Sequence, residues 1–163
     1  MTASVTPITE SVVVRLGPRR AFHLFTEGMG HWWPVESYSR AVSELANENV
    51  EVVRLEFQPR VGGSIVEHLD DGRALPWGVI SNWSPPDRVV IAWSPHSQPE
   101  PPTEIDVTFS EHDGGTLVEI EHRGWEHLSE GFRDELRPVY ERGWITTLAC
   151  YAAAARGEVA PPT

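Results

Sequence analysis

Between Asn49 and Arg123 apolar side chains recur at every second position, and the alternation is broken repeatedly by turn residues. A period of two places successive side chains on opposite faces of a strand, so the middle of the chain is committed to a sheet with one buried face. The segment NVEVVRLEFQP puts Val53, Leu55 and Phe57 on one face and Arg54 and Glu56 on the other. Pro59 and Gly62-Gly63 turn it into GSIVEHL, and Asp70-Asp71-Gly72 is a hairpin signal ahead of ALPWGVISNW. In that strand Leu75, Trp77 and Val79 are expected on one side. Pro85-Pro86-Asp87 leads into RVVIAWS, where Val89, Ile91 and Trp93 alternate. The stretch Pro95 to Pro102 is too rich in proline for regular structure and is expected to be an exposed loop. TEIDVTFSE then turns Ile105, Val107 and Phe109 inward, and after Asp113-Gly114-Gly115 the strand TLVEIEHRGW matches them with Val118 and Ile120.

Two helical patterns and one more strand flank this run. Val5 to Arg15 reads as a first strand, and Pro18 opens a helix with Ala21, Phe22, Phe25 and Met29 on one stripe. Gly28 and Gly30 are expected to end it just before the tryptophan pair of Gly30-His31-Trp32-Trp33-Pro34, and a short helix is read near Glu36 to Arg40. From Pro138 onward Tyr140, Trp144, Leu148 and Tyr151 recur at helical spacing, and residues 157–163 read as a frayed tail. The order is strand, helix, about six strands in hairpin succession, and one long helix, within a single domain over 1–163 whose core spans about 5–156. Such a hairpin run makes an antiparallel sheet, and one helix covering a curled sheet leaves a gap where a ligand pocket forms.

Charge narrows the partners. With 13 Lys and Arg against 24 Asp and Glu the net charge is −11, which disfavours nucleic acid and anionic membranes. One cysteine, Cys150, excludes an intramolecular disulfide, and neither a signal peptide nor a membrane span is read, so a cytoplasmic protein is expected. No metal site and no cofactor are expected, because the seven histidines show no zinc-ligand spacing.

In order and spacing, several pieces resemble one family. They are GPRRAFHLFTE, HWWP, FQPRVGGSIVE, PWGVISNWSPPDRVVIAW, HDGGTLVEIEHRGW and RGWITTLACYAA, spread from about Val12 to Ala154. The chain resembles the START-like (SRPBCC) superfamily, and within it the family named after the activator of the ninety-kilodalton heat-shock chaperone's ATPase. The resemblance implies an α+β helix-grip (Bet v 1-like) fold, in which a curved seven-stranded antiparallel sheet wraps a long C-terminal helix around a mainly apolar cavity. It further implies binding of a small hydrophobic, lipid- or polyketide-like molecule. Enzymatic cyclisation, dehydration or hydrolysis in the same cavity stays open as the alternative. A homodimer and a stress-response role beside a chaperone stay open too.

The candidate cavity residues follow from the inward register and the helical stripe. From the N-terminal region come Phe25, Trp32 and Trp33; from the strands Trp77, Trp93, Ile105, Val107, Val118 and Ile120; from the last helix Trp144, Leu148 and Tyr151. Simple core packing is the competing reading for each. At least one of Trp32 and Trp33 is expected to border the cavity, Trp33 ahead of Trp32. His31 beside the tryptophans, and His122 in the register of Thr116, Val118 and Ile120, are the candidates for acid–base work. No nucleophile elbow surrounds Gly63-Ser64, and Glu119 and Glu121 are expected to face solvent. The resemblance, through the family's Gly-Trp pairing, implies that Gly143 in the last helix makes room for a neighbouring group.

Overall fold

The computed structural model describes residues 5–159. Strands β1 (Ile8–Val14), β2 (Val52–Phe57), β3 (Ser64–Leu69), β4 (Ala74–Ser84), β5 (Arg88–Trp93), β6 (Thr103–His112) and β7 (Gly115–Arg123) form one sheet. Their order is β1-β7-β6-β5-β4-β3-β2, every neighbouring pair antiparallel. The sheet curls into a half-barrel around a long C-terminal helix, which is the expected helix-grip arrangement. Helices α1 (Pro18–Phe25) and α2 (Arg40–Glu44) lie between β1 and β2, and α3 (Glu130–Val159) follows β7. No helix among the described residues is long and apolar enough to cross a membrane.

The alternation holds where strands pair without interruption and fails at bulges. On β6 and β7, Ile105, Val107, Phe109, Val118 and Ile120 are all buried, whereas Glu119 is exposed on the outer face and Glu121 half-exposed. In β2 the pairing passes from Val52 opposite Leu69 to Arg54 opposite His68, so Val53 is the extra residue of a bulge and stands 61% exposed. The inward expectation for Val53 is corrected accordingly. A second bulge falls in β4, between Gly78 opposite Ile65 and Pro76 opposite Val66, with Trp77 as the extra residue. It shifts the register by one, so Ile80 is buried and Val79, expected inward, is exposed.

Element ends differ from expectation where prolines or caps decide them. The last helix begins at Glu130 and carries Pro138 inside it, eight residues before the proline-based start. Pro138 has no N–H for the Asp134 carbonyl, a local loss that a helix of 30 residues sustains. The same helix runs through Val159, so 157–159 are helical and do not belong to a frayed tail, while 160–163 lie outside the described residues. The short helix starts at Arg40 because the Ser39 side chain caps it, accepting from the Val42 N–H at 3.2 Å. Helix α1 ends at Phe25, where the Thr26 hydroxyl bonds back to the Phe22 carbonyl at 2.8 Å, and Met29–His31 form a separate 3-10 turn.

Gly78 is required by close backbone approach. A Cβ there would lie 2.3 Å from the Ala92 carbonyl oxygen on β5. Gly78→Ala is therefore expected to destabilise the fold by about 1–3 kcal/mol, read from the midpoint of denaturant unfolding. An unchanged midpoint would show that β4 and β5 can separate without cost.

Candidate functional site

Between α3 and the concave face of the sheet, aromatic packing fills one end and leaves the other open. At the filled end Phe25 meets Trp32 with ring centroids 5.1 Å apart, Tyr151 at 5.2 Å and Phe109 at 5.8 Å. The Tyr151 hydroxyl donates to the Ala21 carbonyl at 2.8 Å, tying α3 to α1. Burial pushes the Tyr151 phenol above its usual range.

A cavity of about 370 Å³ occupies the open end. Its aromatic walls are Trp33 after the 3-10 turn, Trp77 on β4, Trp93 on β5, and Tyr140 and Trp144 on α3. Phe132, Leu136, Val139, Gly143 and Thr147 complete the helix side. The remaining wall comes from Ser37, Tyr38, Ser39, Ser43 and Glu44, and from Pro95, His96 and Gln98 in the loop after β5. Trp33 is central to the cluster, with centroids 5.2 Å from Trp77, 5.9 Å from Trp93 and 6.0 Å from Trp144. These separations suit tilted and edge-to-face packing.

Each indole N–H in this wall is already used. Trp33 donates to the Tyr38 carbonyl at 2.7 Å, Trp77 to Glu67 Oε1 at 2.8 Å, Trp93 to the Tyr140 hydroxyl at 2.7 Å, and Trp144 to His122 Nδ1 at 3.0 Å. The rings therefore present flat apolar surface to the cavity and keep their donors behind them.

Glu67 is the hidden support of the mouth. It is fully buried on the inward face of β3 and accepts from the backbone N–H groups of Arg40 at 2.8 Å and Ala41 at 2.9 Å, besides Trp77. One carboxylate thus holds both the first turn of α2 and a cavity tryptophan. Glu44 at the other end of α2 accepts from Arg40 and from the Ser97 N–H and hydroxyl, joining α2 to the loop after β5. Burial pushes the Glu44 carboxyl up, but the hydrogen bonds from Ser97 and Arg40 outweigh it and leave it below the usual carboxylate range. Gly143 faces the Tyr38 ring, which its absent Cβ would meet at 3.7 Å.

The structure divides the twelve expected cavity residues. Trp33, Trp77, Trp93 and Trp144 line the cavity. Phe25, Trp32, Ile105, Val107, Val118, Ile120, Leu148 and Tyr151 are buried in the packed core and do not line it, which corrects their expected placement. The reason is that α1 and the 3-10 turn plug that end of the gap with their own aromatics. Trp32 is anchored there by its N–H to the Leu24 carbonyl at 2.8 Å.

The two candidate acid–base histidines do not meet the cavity. His31 is exposed on the 3-10 turn. His122 is fully buried, with Nε2 2.7 Å from the Thr103 hydroxyl and Nδ1 accepting from Trp144. An indole nitrogen can only donate, so Nδ1 carries the lone pair and Nε2 carries the proton. Thr103 in turn donates to the Trp93 carbonyl at 3.3 Å. Burial, and then the positive charge of Arg137, push the His122 pKa down to about 3. Both nitrogens of this neutral ring are committed, which leaves no base to offer a ligand.

Sequence reading missed the walls that have no period: those within 37–44 and 95–98, and the helix residues before Pro138. His96 was visible as one of seven histidines, but nothing in its neighbourhood marked it for a cavity. Pro95 and His96 are half-buried, so the loop expected to be exposed is partly a cavity wall.

Comparison with known proteins agrees with this architecture. A protein of Nitrosomonas europaea aligns with 96% of this chain and 97% of its own at a TM-score of 0.65 and 13% identity. The Aha1 dimer of Colwellia psychrerythraea aligns over 93% and 96% of the two chains at 0.62 and 15% identity. The anthrahydroquino-gamma-pyrone synthase Txn09 aligns over 94% of this chain and 99% of its own, with a TM-score of 0.58 and 28% identity. No curated protein matches the chain. The family described as Activator of Hsp90 ATPase homolog 1-like protein matches residues 15–149. With that match spanning everything from the end of β1 to the middle of α3, the chain belongs to the Activator of Hsp90 ATPase homolog 1-like family.

Proposed function

We propose that this protein binds a small hydrophobic molecule with flat, aromatic character in the cavity framed by Trp33, Trp77, Trp93 and Trp144. The carrying observation is that four tryptophan rings converge on about 370 Å³ with every indole N–H satisfied by the protein. Such a wall rewards burial of apolar area, roughly 25 cal/mol per Å², and stacking against ring faces. The 28% identity to a synthase whose name denotes fused aromatic rings supports the same ligand class. A cytoplasmic location belongs to the proposal, and cell fractionation tests it.

Tryptophan fluorescence titrated with fused-ring aromatics is the direct test. At least one compound is expected to bind at micromolar concentration, and Trp33→Ala to weaken it tenfold or more, since one aromatic wall contact is worth about 1.4 kcal/mol or above. Trp83, which packs on Phe22 and Phe57 away from the cavity, provides the control Trp83→Phe with unchanged affinity. If nothing in the panel binds better than millimolar, the binding reading is wrong.

The likeness to Txn09 also favours a second reading, catalysis of cyclisation, dehydration or hydrolysis on such a ligand. Its acid or base would have to come from cavity residues other than His31 and His122. Product formation from a bound compound, absent in Trp33→Ala, would establish it; a bound compound recovered unchanged after prolonged incubation would not. A chaperone-associated role has the family's name behind it, and a pull-down recovering no chaperone would remove it.

A further inference from the structure

Among the described residues four threonines are buried, Thr26, Thr103, Thr116 and Thr147. Three have their hydroxyls matched inside the protein. Thr26 donates to the Phe22 carbonyl at 2.8 Å, Thr103 pairs with His122 Nε2 at 2.7 Å, and Thr116 donates to the Leu16 carbonyl at 2.7 Å. The Thr147 hydroxyl has no such partner among the described residues, although Thr147 is only 2% exposed. A helical threonine can bond back to the carbonyl four residues earlier, as Thr26 does at the end of α1, but Thr147 makes no such bond to Gly143. Nor is the hydroxyl enclosed: unlike His96 Nδ1 and Arg137 Nε, which are sealed off without a partner, it keeps accessible surface. Thr147 lines the cavity, so that surface opens on it.

Thr147 stands at the inner end of the helix wall. Along α3 the lining passes from half-buried Phe132 and Leu136 to Trp144 at 3% and Thr147 at 2% exposure, and the next residue, Leu148, belongs to the packed core. Polar groups at the rim are served by solvent, since Ser37, Ser43 and Gln98 are exposed. The inner end is different. A buried water beside Thr147 needs about two to four polar partners, and the four indole N–H groups of the wall are committed elsewhere. Displacing such a water costs a ligand little. Buried polar groups in native structures nearly always have partners, and the cavity is the space from which this one's comes.

We propose that the Thr147 hydroxyl is the polar anchor at the inner end of the cavity, donating to a carbonyl oxygen on an otherwise flat, apolar ligand. A carbonyl only accepts, so a single bond satisfies both groups. Between two hydroxyls one proton is used and the other is left without an acceptor among ring faces, which is the costly state for a buried donor. The ligand class is therefore a fused-ring aromatic ketone, its carbonyl at Thr147 and its rings against Trp33, Trp77, Trp93 and Trp144. This inference rests on the cavity-binding reading and adds to it the polar group that the ligand carries.

Fluorene, 9-fluorenone and 9-fluorenol provide the test, because they share one tricyclic skeleton and differ at a single carbon. Equilibrium dialysis gives the affinity of each for the wild-type protein and for Thr147→Val, which exchanges the hydroxyl for a methyl group at nearly the same volume. The affinity for fluorenone relative to fluorene is expected to fall roughly five- to tenfold in the valine variant, the size of one net hydrogen bond. Thr147→Ser, which keeps the hydroxyl, is expected to retain most of the wild-type ratio. Since the hydroxyl has no partner in the protein, Thr147→Val is also expected to melt no lower than the parent. A clearly lower melting temperature would mean that the hydroxyl is paired within the protein, and it overturns the anchor. A ratio unchanged by Thr147→Val, or a loss confined to fluorenol, overturns the anchor while the cavity reading stands. If none of the three compounds binds the wild-type protein, the cavity reading fails and the anchor fails with it.

Discussion

Glu67→Ala is expected to cost about 3–5 kcal/mol of stability, because it strands three donors at once. The Arg40 and Ala41 N–H groups and the Trp77 indole N–H all point at this one fully buried carboxylate. Glu67→Gln preserves the shape but turns one oxygen into an NH₂ group. Oε1 faces two donors and Oε2 faces one, so either orientation of the amide sets a donor against a donor. The glutamine variant is therefore expected to lose about 2 kcal/mol or more, close to alanine and unlike a conservative change. Urea unfolding measures both. Because the same carboxylate ties α2 and Trp77, ligand affinity at the cavity should fall in step with stability. A glutamine variant as stable as the parent would mean that the three hydrogen bonds are not all made in solution.

Acid is expected to unfold the protein through His122. Unfolded, this imidazole takes up a proton near its ordinary value of 6.5; folded, it resists until about pH 3. Between those values the unfolded chain binds more protons, so stability rises with pH across the window and falls as pH is lowered. Its contribution is complete above pH 6.5 and is lost on the way down to about pH 3, at up to about 1.4 kcal/mol per pH unit. The cause is burial of the ring and then the positive charge of Arg137, and protonation would also set an N–H on Nδ1 against the Trp144 N–H. In His122→Phe the baseline stability drops, since Trp144 and Thr103 lose their partner, but the slope of stability against pH in this window should flatten. Parallel slopes in the parent and the variant would assign the acid sensitivity to carboxylates such as Asp106, whose pKa is held low by Arg88 and Arg123 against burial.

The parts of the fold legible in the sequence are those encoded by local repetition. Alternation on β6 and β7 needs no knowledge of the partner strand, because a side-chain period of two is a property of the extended backbone itself. The inward placement of His122 could be read in this way, three residues of register carrying it into the core. What the ring does there could not. Its tautomer depends on Trp144, 22 residues further on, and on Thr103, 19 residues back.

The inward register alone does not separate core from cavity either. Trp93 and Ile105 both face inward on adjacent strands, yet one borders open space and the other does not. The difference lies in what stands opposite, and that is set by where α1, the 3-10 turn and α3 come to rest. Val53 and Val79 show the same limit at smaller scale. A bulge changes the face of a residue through a mismatch with the neighbouring strand, which one strand's own pattern does not contain.

By itself, then, the sequence determined the element types, their order, the antiparallel sheet with its single buried face, and the family. These follow from spacing along the chain and from composition at turns. Tertiary structure alone decided that Trp33 borders the cavity while Trp32 fills the core, although the two are adjacent and both buried. Their indole donors reach in different directions, one to Leu24 on α1 and the other to Tyr38. It also decided that an unremarkable loop would bring His96 to the cavity wall, and that Glu67 would serve as a buried support. Each depends on a meeting of segments distant in the chain, where the outcome is set by which space remains unfilled after the elements pack.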